Sequence, residues 1–289
     1  MILYYLSKQM YSSILKNNPL RLFDVTLRDG LRSVSKVYNM SEQLQIAENI
    51  LMRKRPSAIE IGSIVSHKLA PSRSSCNSLE LFKEVSSTYL YTLNPIDIYM
   101  FTPNLKSLEI ACKHNIQNFS FSTSVSNMFQ MKNLNKTIHQ TKQELPYMIN
   151  TVHKHDNEYK IKLYVSCVSS CPITGKISLH EIINEIMFYY DTFDKINEIC
   201  LSDTHGSLLF RDFKYIIDEL IRRKVDFERF SLHLHNQSDR QQIKHILNYA
   251  MKIGVSKFDV SDVSCIGDYI TTSDKPTSNL DYEQIYECL

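Results

Sequence analysis

Short apolar runs alternate with longer amphipathic stretches along the whole chain. The apolar runs predict strands at Leu22–Arg28, Ala58–Gly62, Asp97–Phe101, Asn118–Thr123, Lys162–Cys167, Glu198–Ser202, Phe230–His235 and Lys257–Ser261. Between them, apolar spacing predicts helices. One carries Leu44, Ala47, Ile50 and Leu51 and is capped by Ser41. Another runs from Ser178 through Tyr190 with Ile182, Ile183 and Ile186. A third opens at Ser238 with Ile243, Ile246, Leu247 and Ala250 on one side. About eight βα repeats is the count of a (β/α)8 barrel, and 289 residues exceed the roughly 250 such a barrel needs. A doubly wound open sheet is the competing architecture.

In a barrel, function collects at the C-terminal ends of the strands. The polar residues fall there: Arg28 and Asp29, Glu60 and Ser63, Thr102 and Asn104, Ser166, Asp203 and Thr204, His233 and His235. The segment Ser231-Leu232-His233-Leu234-His235 has two histidines one residue apart. On a strand their imidazoles point to one face. Two imidazoles with the carboxylate of Asp29, at the end of the first predicted strand, suit a divalent ion with open positions. Asn279, beyond the last strand, could add an amide oxygen. The structural alternative makes Asp29 a turn residue and the histidines satisfied barrel residues.

Arg28 keeps its charge at any working pH. It could stabilise an enolate or serve as a structural salt bridge across the barrel mouth. Glu60 lies in an otherwise apolar strand and needs a partner, for which Arg28 is a candidate. Asp203 could exchange a proton or hold a substrate hydroxyl, while His205 reads as a solvated loop residue.

Composition narrows the classes. With 33 basic and 31 acidic residues the net charge is +2, which argues against a dedicated nucleic-acid binder. No run approaches the roughly 20 apolar residues of a membrane span. The 6 glycines form no phosphate-cradling motif. The 7 cysteines lack a disulfide-scaffold spacing; Cys167 and Cys171 read as ordinary buried or loop thiols, with a redox or metal role as the alternative. Residues 1–20 carry Lys8 and Lys16 but no acid and no Arg, and read as an arm preceding a domain over 21–289. The expected compartment is the cytoplasm, with mitochondrial targeting the alternative.

Together these motifs resemble the DRE-TIM metallolyases, and most closely the 3-hydroxy-3-methylglutaryl-CoA lyases. The resemblance rests on Thr26-Leu27-Arg28-Asp29-Gly30-Leu31, Ile59-Glu60-Ile61-Gly62-Ser63, Thr102-Pro103-Asn104-Leu105-Lys106, Tyr164-Val165-Ser166-Cys167 through Cys171-Pro172, Leu201-Ser202-Asp203-Thr204-His205-Gly206 and His233-Leu234-His235. It runs in order from about Arg21 to the end. It implies a TIM barrel with a shortened C-terminal extension, and Mg2+ or Mn2+ held by Asp29, His233, His235 and Asn279. It further implies cleavage of a 3-hydroxy acyl-CoA to acetoacetate and acetyl-CoA, an acyl-CoA partner and a homodimer. Arg28, Glu60, Asp203 and His233 become the catalytic candidates, and Arg32 and Thr204 the substrate contacts. Lys36 and Lys106 are candidates for CoA phosphates, or ordinary exposed lysines.

The sequence departs from the family at several places; among them, His-x-His is followed by Asn236-Gln237, closer in part to the related Claisen-type synthases. Tyr269 falls where the family has a loop cysteine, Asp268 replaces a glycine of that loop, and Arg32 replaces a substrate-facing glutamine. Cys265 lies four residues before Tyr269. The alternatives to a lyase are an aldolase or Claisen-type acyltransferase with another substrate, and a metal-binding pseudoenzyme.

Overall fold

The computed structural model describes residues 19–34, 36–65, 78–89, 96–155, 158–235, 239–262 and 279–288. Eight parallel strands close into a barrel: β1 (Arg21–Asp24), β2 (Ala58–Ser63), β3 (Asp97–Phe101), β4 (Asn118–Ser124), β5 (Lys160–Ser166), β8 (Glu198–Ser202), β9 (Phe230–His233) and β10 (Lys257–Val260), which returns to β1. A two-stranded hairpin of β6 (Ser170–Cys171) and β7 (Gly175–Lys176) follows β5. All eight predicted barrel strands are present, and the open-sheet alternative is excluded by closure.

Helices cover the outside. The helix Phe210–Arg222 buries Phe213, Ile216, Ile217 and Leu220, one stripe at helical spacing. Outward-facing strand residues meet such stripes. In β2 Ile59 and Ile61, in β5 Ile161, Leu163 and Val165, and in β10 Phe258 and Val260 all join the main apolar core. Their alternating neighbours Glu60, Lys162 and Asp259 are fully or almost fully buried as well, inside the barrel. Charge inside the barrel is therefore a property of strand alternation, and the charges there must satisfy one another.

Several sequence expectations are corrected at the element ends. The first strand stops at Asp24 and does not reach Arg28, because the Asp24 carboxylate accepts the Thr26 amide at 2.8 Å and the chain turns, with Asp29 N and Gly30 N both donating to Val25 O. The strand carrying His233 ends there; His235 sits in a separate bridge with Asn279. The helix Met40–Asn49 is capped by Asn39 in a box with Glu42, with Ser41 inside it. Ser178 stands at the N-cap of Leu179–Thr192 without a capping bond from its side chain. Ser238 lies outside the described residues, and Asp239 caps Arg240–Lys252.

The last described segment closes the top of the barrel. Ser261 N donates to Leu280 O and Leu280 N to Leu234 O, laying residues 279–280 across the ends of β9 and β10. The helix Tyr282–Tyr286 then docks through Tyr282, whose hydroxyl donates to Asp24 Oδ2 at 2.7 Å. Among the described residues no helix is long and apolar enough to cross a membrane.

Candidate metal centre and its surroundings

The turn after β1 and the end of β9 bring Asp29, His233 and His235 together, with one potential ligand atom from each within 4.8 Å of the others. His233 Nε2 lies 3.6 Å from Asp29 Oδ2, and the two imidazole centroids are 4.9 Å apart. Asn279 joins them, donating its side-chain amide to Asp29 Oδ2 at 3.1 Å. All four residues implied by the resemblance are therefore gathered on one spot, from chain positions up to 250 residues apart.

The protonation pattern suits a cation. His235 Nδ1 is 2.9 Å from the backbone carbonyl of Asp203, and His233 Nδ1 is 3.1 Å from Asp259 Oδ2. A carbonyl and an ionised carboxylate can only accept, so each Nδ1 carries a hydrogen and Nε2 is the nitrogen left to face a metal ion. Burial, with the neighbouring His233, pushes His235 down to about 4, so it is neutral at neutral pH. Burial alone would push Asp29 up; the Arg28 guanidinium, the two imidazoles and Arg32 outweigh it and hold the carboxyl well below its usual range. One ionised carboxylate and two imidazoles, each with Nδ1 turned to an acceptor, form a donor set that fits a divalent ion.

Beside this centre, Arg28 donates to Asp29 Oδ1 at 2.8 Å through Nη1 and to Glu60 Oε2 through Nε. Its guanidinium also stacks near Phe101 and Tyr164, at 5.4 and 5.0 Å from the ring centroids. Glu60 further accepts from Ser120 Oγ, and from Tyr164 OH at 3.2 Å. Burial would lower the Arg28 pKa, but Glu60 and Asp29 hold it well above its ordinary value. The partner the sequence demanded for Glu60 is thus Arg28, and the pair sits next to the metal candidates.

Asp203 has a different setting. Its carboxylate accepts from Ser169 Oγ and Ser207 N on one oxygen and from Leu208 N on the other, and burial raises its pKa despite these bonds. Its backbone carbonyl orients His235. Thr204 Oγ1 accepts from Cys167 N at 2.9 Å. Arg32 is exposed, in the short helical turn Gly30–Ser33 after Asp29. His205 is exposed, as its sequence setting suggested. Asn104 caps the helix Leu105–Lys113. Lys36 is exposed and paired with Glu42 at 2.8 Å, and Lys106 is exposed. Cys167 and Cys171 are buried free thiols. Burial resists ionisation of Cys171, but bonds from Ser126, Thr174 and Ile173 bring it to about 7. The loop positions Cys265, Asp268 and Tyr269 lie outside the described residues.

Sequence reasoning missed Asp259 and Lys162. Each is a charged residue flanked on both sides by apolar residues within a strand, the signal that drew notice to Glu60. Lys162 Nζ contacts Asp259 Oδ1 and lies 2.9 Å from Glu198 Oε1.

A closed (β/α)8 barrel with a cluster of one carboxylate and two imidazoles at the C-terminal ends of its strands defines a TIM barrel with a candidate metal site. The chain belongs to the HMGL-like family, whose model matches residues 19–267. A mitochondrial hydroxymethylglutaryl-CoA lyase of Arabidopsis thaliana is 25% identical over 241 residues, covering 83% of this chain and 48% of the relative. The chain thus spans about half the length of that plant relative. The HMG-CoA lyase structure from Brucella melitensis superposes with a TM-score of 0.78 at 20% identity, covering 93% of this chain and 89% of that one. The Pseudomonas aeruginosa hydroxymethylglutaryl-CoA lyase gives 0.77 at 22%, covering 94% and 85%.

Proposed function

We propose that the protein is a divalent-metal-dependent lyase that cleaves a 3-hydroxy acyl-CoA, with 3-hydroxy-3-methylglutaryl-CoA as the first candidate and acetoacetate and acetyl-CoA as products. The observation that carries this reading is the adjacency of two devices: the Asp29–His233–His235 cluster with Asn279, and the Arg28–Glu60 pair bonded to Asp29. Bound there, Mg2+ or Mn2+ would supply Lewis acidity toward the substrate's oxygens.

Asp29, His233, His235 and Asn279 would hold the ion. Arg28 supplies a fixed positive charge where a thioester enolate would develop, and Glu60 with the Phe101 and Tyr164 rings holds its plane in place. Cleavage requires a base to take the substrate hydroxyl proton. The C2–C3 bonding pair then passes to the enolate, C3 becomes a ketone, and the enolate takes a proton at C2. Asp203, oriented by three donors and with a burial-raised pKa, is the proposed acceptor. Thr204 and Arg32 are the proposed substrate contacts. Tyr269, where the family has a cysteine, is the candidate donor to the enolate.

A second reading is favoured by Arg32. An exposed guanidinium beside the centre, in place of a neutral glutamine, fits a related aldolase or acyltransferase with a more anionic substrate. The test is product release from HMG-CoA by the purified protein with Mg2+, with Mn2+ and with chelator. Chelator-sensitive release of both products supports the lyase. Tight metal binding without release turns the assignment to the second reading or to a pseudoenzyme.

A further inference from the structure

Beneath the candidate metal centre, inside the barrel, lies a buried charge cluster that the proposed reaction does not use. Lys162 on β5 and Asp259 on β10 are 0% and 1% exposed and in direct contact. Lys162 also pairs with Glu198 at 2.9 Å, and its ammonium lies 3.6 Å from the centroid of the Phe23 ring. Lys257 reaches Glu198 at 3.5 Å from the other side. Such an arrangement is a poor way to stabilise a barrel, since apolar residues of similar volume often do as well or better. Its geometry points to a different use.

Asp259 bridges β5 and the end of β9. One carboxylate oxygen meets Lys162; the other meets His233 Nδ1 and accepts from Cys200 Sγ at 3.8 Å. The Tyr164 ring packs edge-on against the His233 imidazole at 5.8 Å, limiting rotation of that ring. His235 obtains the same Nδ1 constraint from a backbone carbonyl, which any residue at 203 would offer. For His233 the constraint comes from side chains on β5 and β10, and so depends on residue identity.

We propose that Asp259, held by Lys162, is a positioning residue that keeps a hydrogen on Nδ1 of His233 and so makes Nε2, the nitrogen that faces Asp29, the one left for a metal ion. Lys162 determines which way the constraint works. It can only donate, so whatever replaces Asp259 must turn an acceptor toward it. In Asp259→Asn the amide oxygen would face Lys162 and the NH2 would face His233. The NH2 can only donate, so Nδ1 must accept, and the imidazole hydrogen moves to Nε2, the atom that would bind metal. The inference rests on the metal-lyase reading only for the consequence of this change; the tautomer itself does not depend on that reading.

The test uses the full chain with 15N-labelled histidine, free of metal, and long-range 1H–15N spectra of the imidazoles. The His233 signals are identified by their loss in His233→Gln. The wild-type protein is expected to show His233 with a hydrogen on Nδ1. Asp259→Asn, with its fold checked by circular dichroism, is expected to show Nε2–H and to bind Mn2+ about 10- to 100-fold more weakly by electron paramagnetic resonance titration. An Nε2–H tautomer in the wild type overturns the proposal, and this measurement decides even where the variant does not fold. An Asp259→Asn protein that keeps Nδ1–H, with Mn2+ affinity within about twofold of wild type, also overturns it. A wild type with the Nδ1–H tautomer but no Mn2+ binding upholds the positioning role and defeats the metal reading instead.

Discussion

Asn279 donates its side-chain amide to Asp29 Oδ2 at 3.1 Å, joining the last described segment to the turn after the first strand. The contact completes the candidate metal centre and depends on the barrel closing, since Asn279 is carried by a two-residue stretch bonded to the ends of β9 and β10. An amide ligates a hard cation only through its oxygen, so metal binding requires Asn279 to exchange this bond for one through Oδ1. Asn279→Ala is therefore expected to weaken Mn2+ binding by roughly tenfold, with circular dichroism unchanged. Calorimetric titration checks this; undiminished affinity removes Asn279 from the ligand set.

His235→Ala removes a ligand that is neutral before the ion arrives. Bound ion stabilises only the native state, so wild-type Tm is expected to rise with Mn2+ in excess of its Kd and that of the variant to stay level. An equal rise in both proteins would show that the ion binds elsewhere.

Arg28 has both a charge role and a geometric role. Glu60 is fully buried, and Arg28→Met would leave it without its cation, at a cost of about 3–5 kcal/mol. Arg28→Lys keeps the charge but cannot reproduce the fork to Glu60 and Asp29. Urea unfolding is expected to show a large loss for the first and a smaller one for the second. Turnover is expected to fall on the order of 100-fold or more in both, as for loss of a developing-charge stabiliser. Near-wild-type turnover in Arg28→Lys would reduce Arg28 to a charge alone.

Asp24 gives a pH signature independent of the metal centre. Burial raises its carboxyl from 3.8 to about 7, against bonds from Tyr282 and Thr26, with Asp262 adding to the rise. Between pH ~4 and ~7 the folded state keeps a proton that the unfolded state has released. This residue's contribution to stability therefore falls as pH rises through that window and is level above it. Asp24→Asn has no such dependence. Its stability relative to wild type is expected to improve from pH 5 to pH 8, by on the order of a few kcal/mol. Denaturant unfolding at both pH values checks this, and a pH-independent difference would place the carboxyl's titration elsewhere.

The strands were legible because each is an apolar run whose outer face must meet a helix. The candidate ligand cluster was legible because His-x-His and an Arg-Asp pair at a turn are unusual in such runs. Lys162 and Asp259 stayed hidden because no local motif marks them in β5 and β10. Asn39 displaced Ser41 as a cap because the box closes only with Glu42 three residues on, a geometric criterion rather than a matter of residue type.

What the sequence by itself determined was the alternation of strand and helix, the number of barrel strands and the residue types able to hold a divalent ion. These follow from periodicity and side-chain chemistry, which are local. Beyond the Arg28–Glu60 pair, which buried charges neutralise one another was decided only by closure of the barrel. Closure brings β10 beside β1 and places Lys162 against Asp259, 97 residues away, in an interior where water cannot solvate either. In that interior a charge persists only with a partner, so the pairing is a consequence of the tertiary fold.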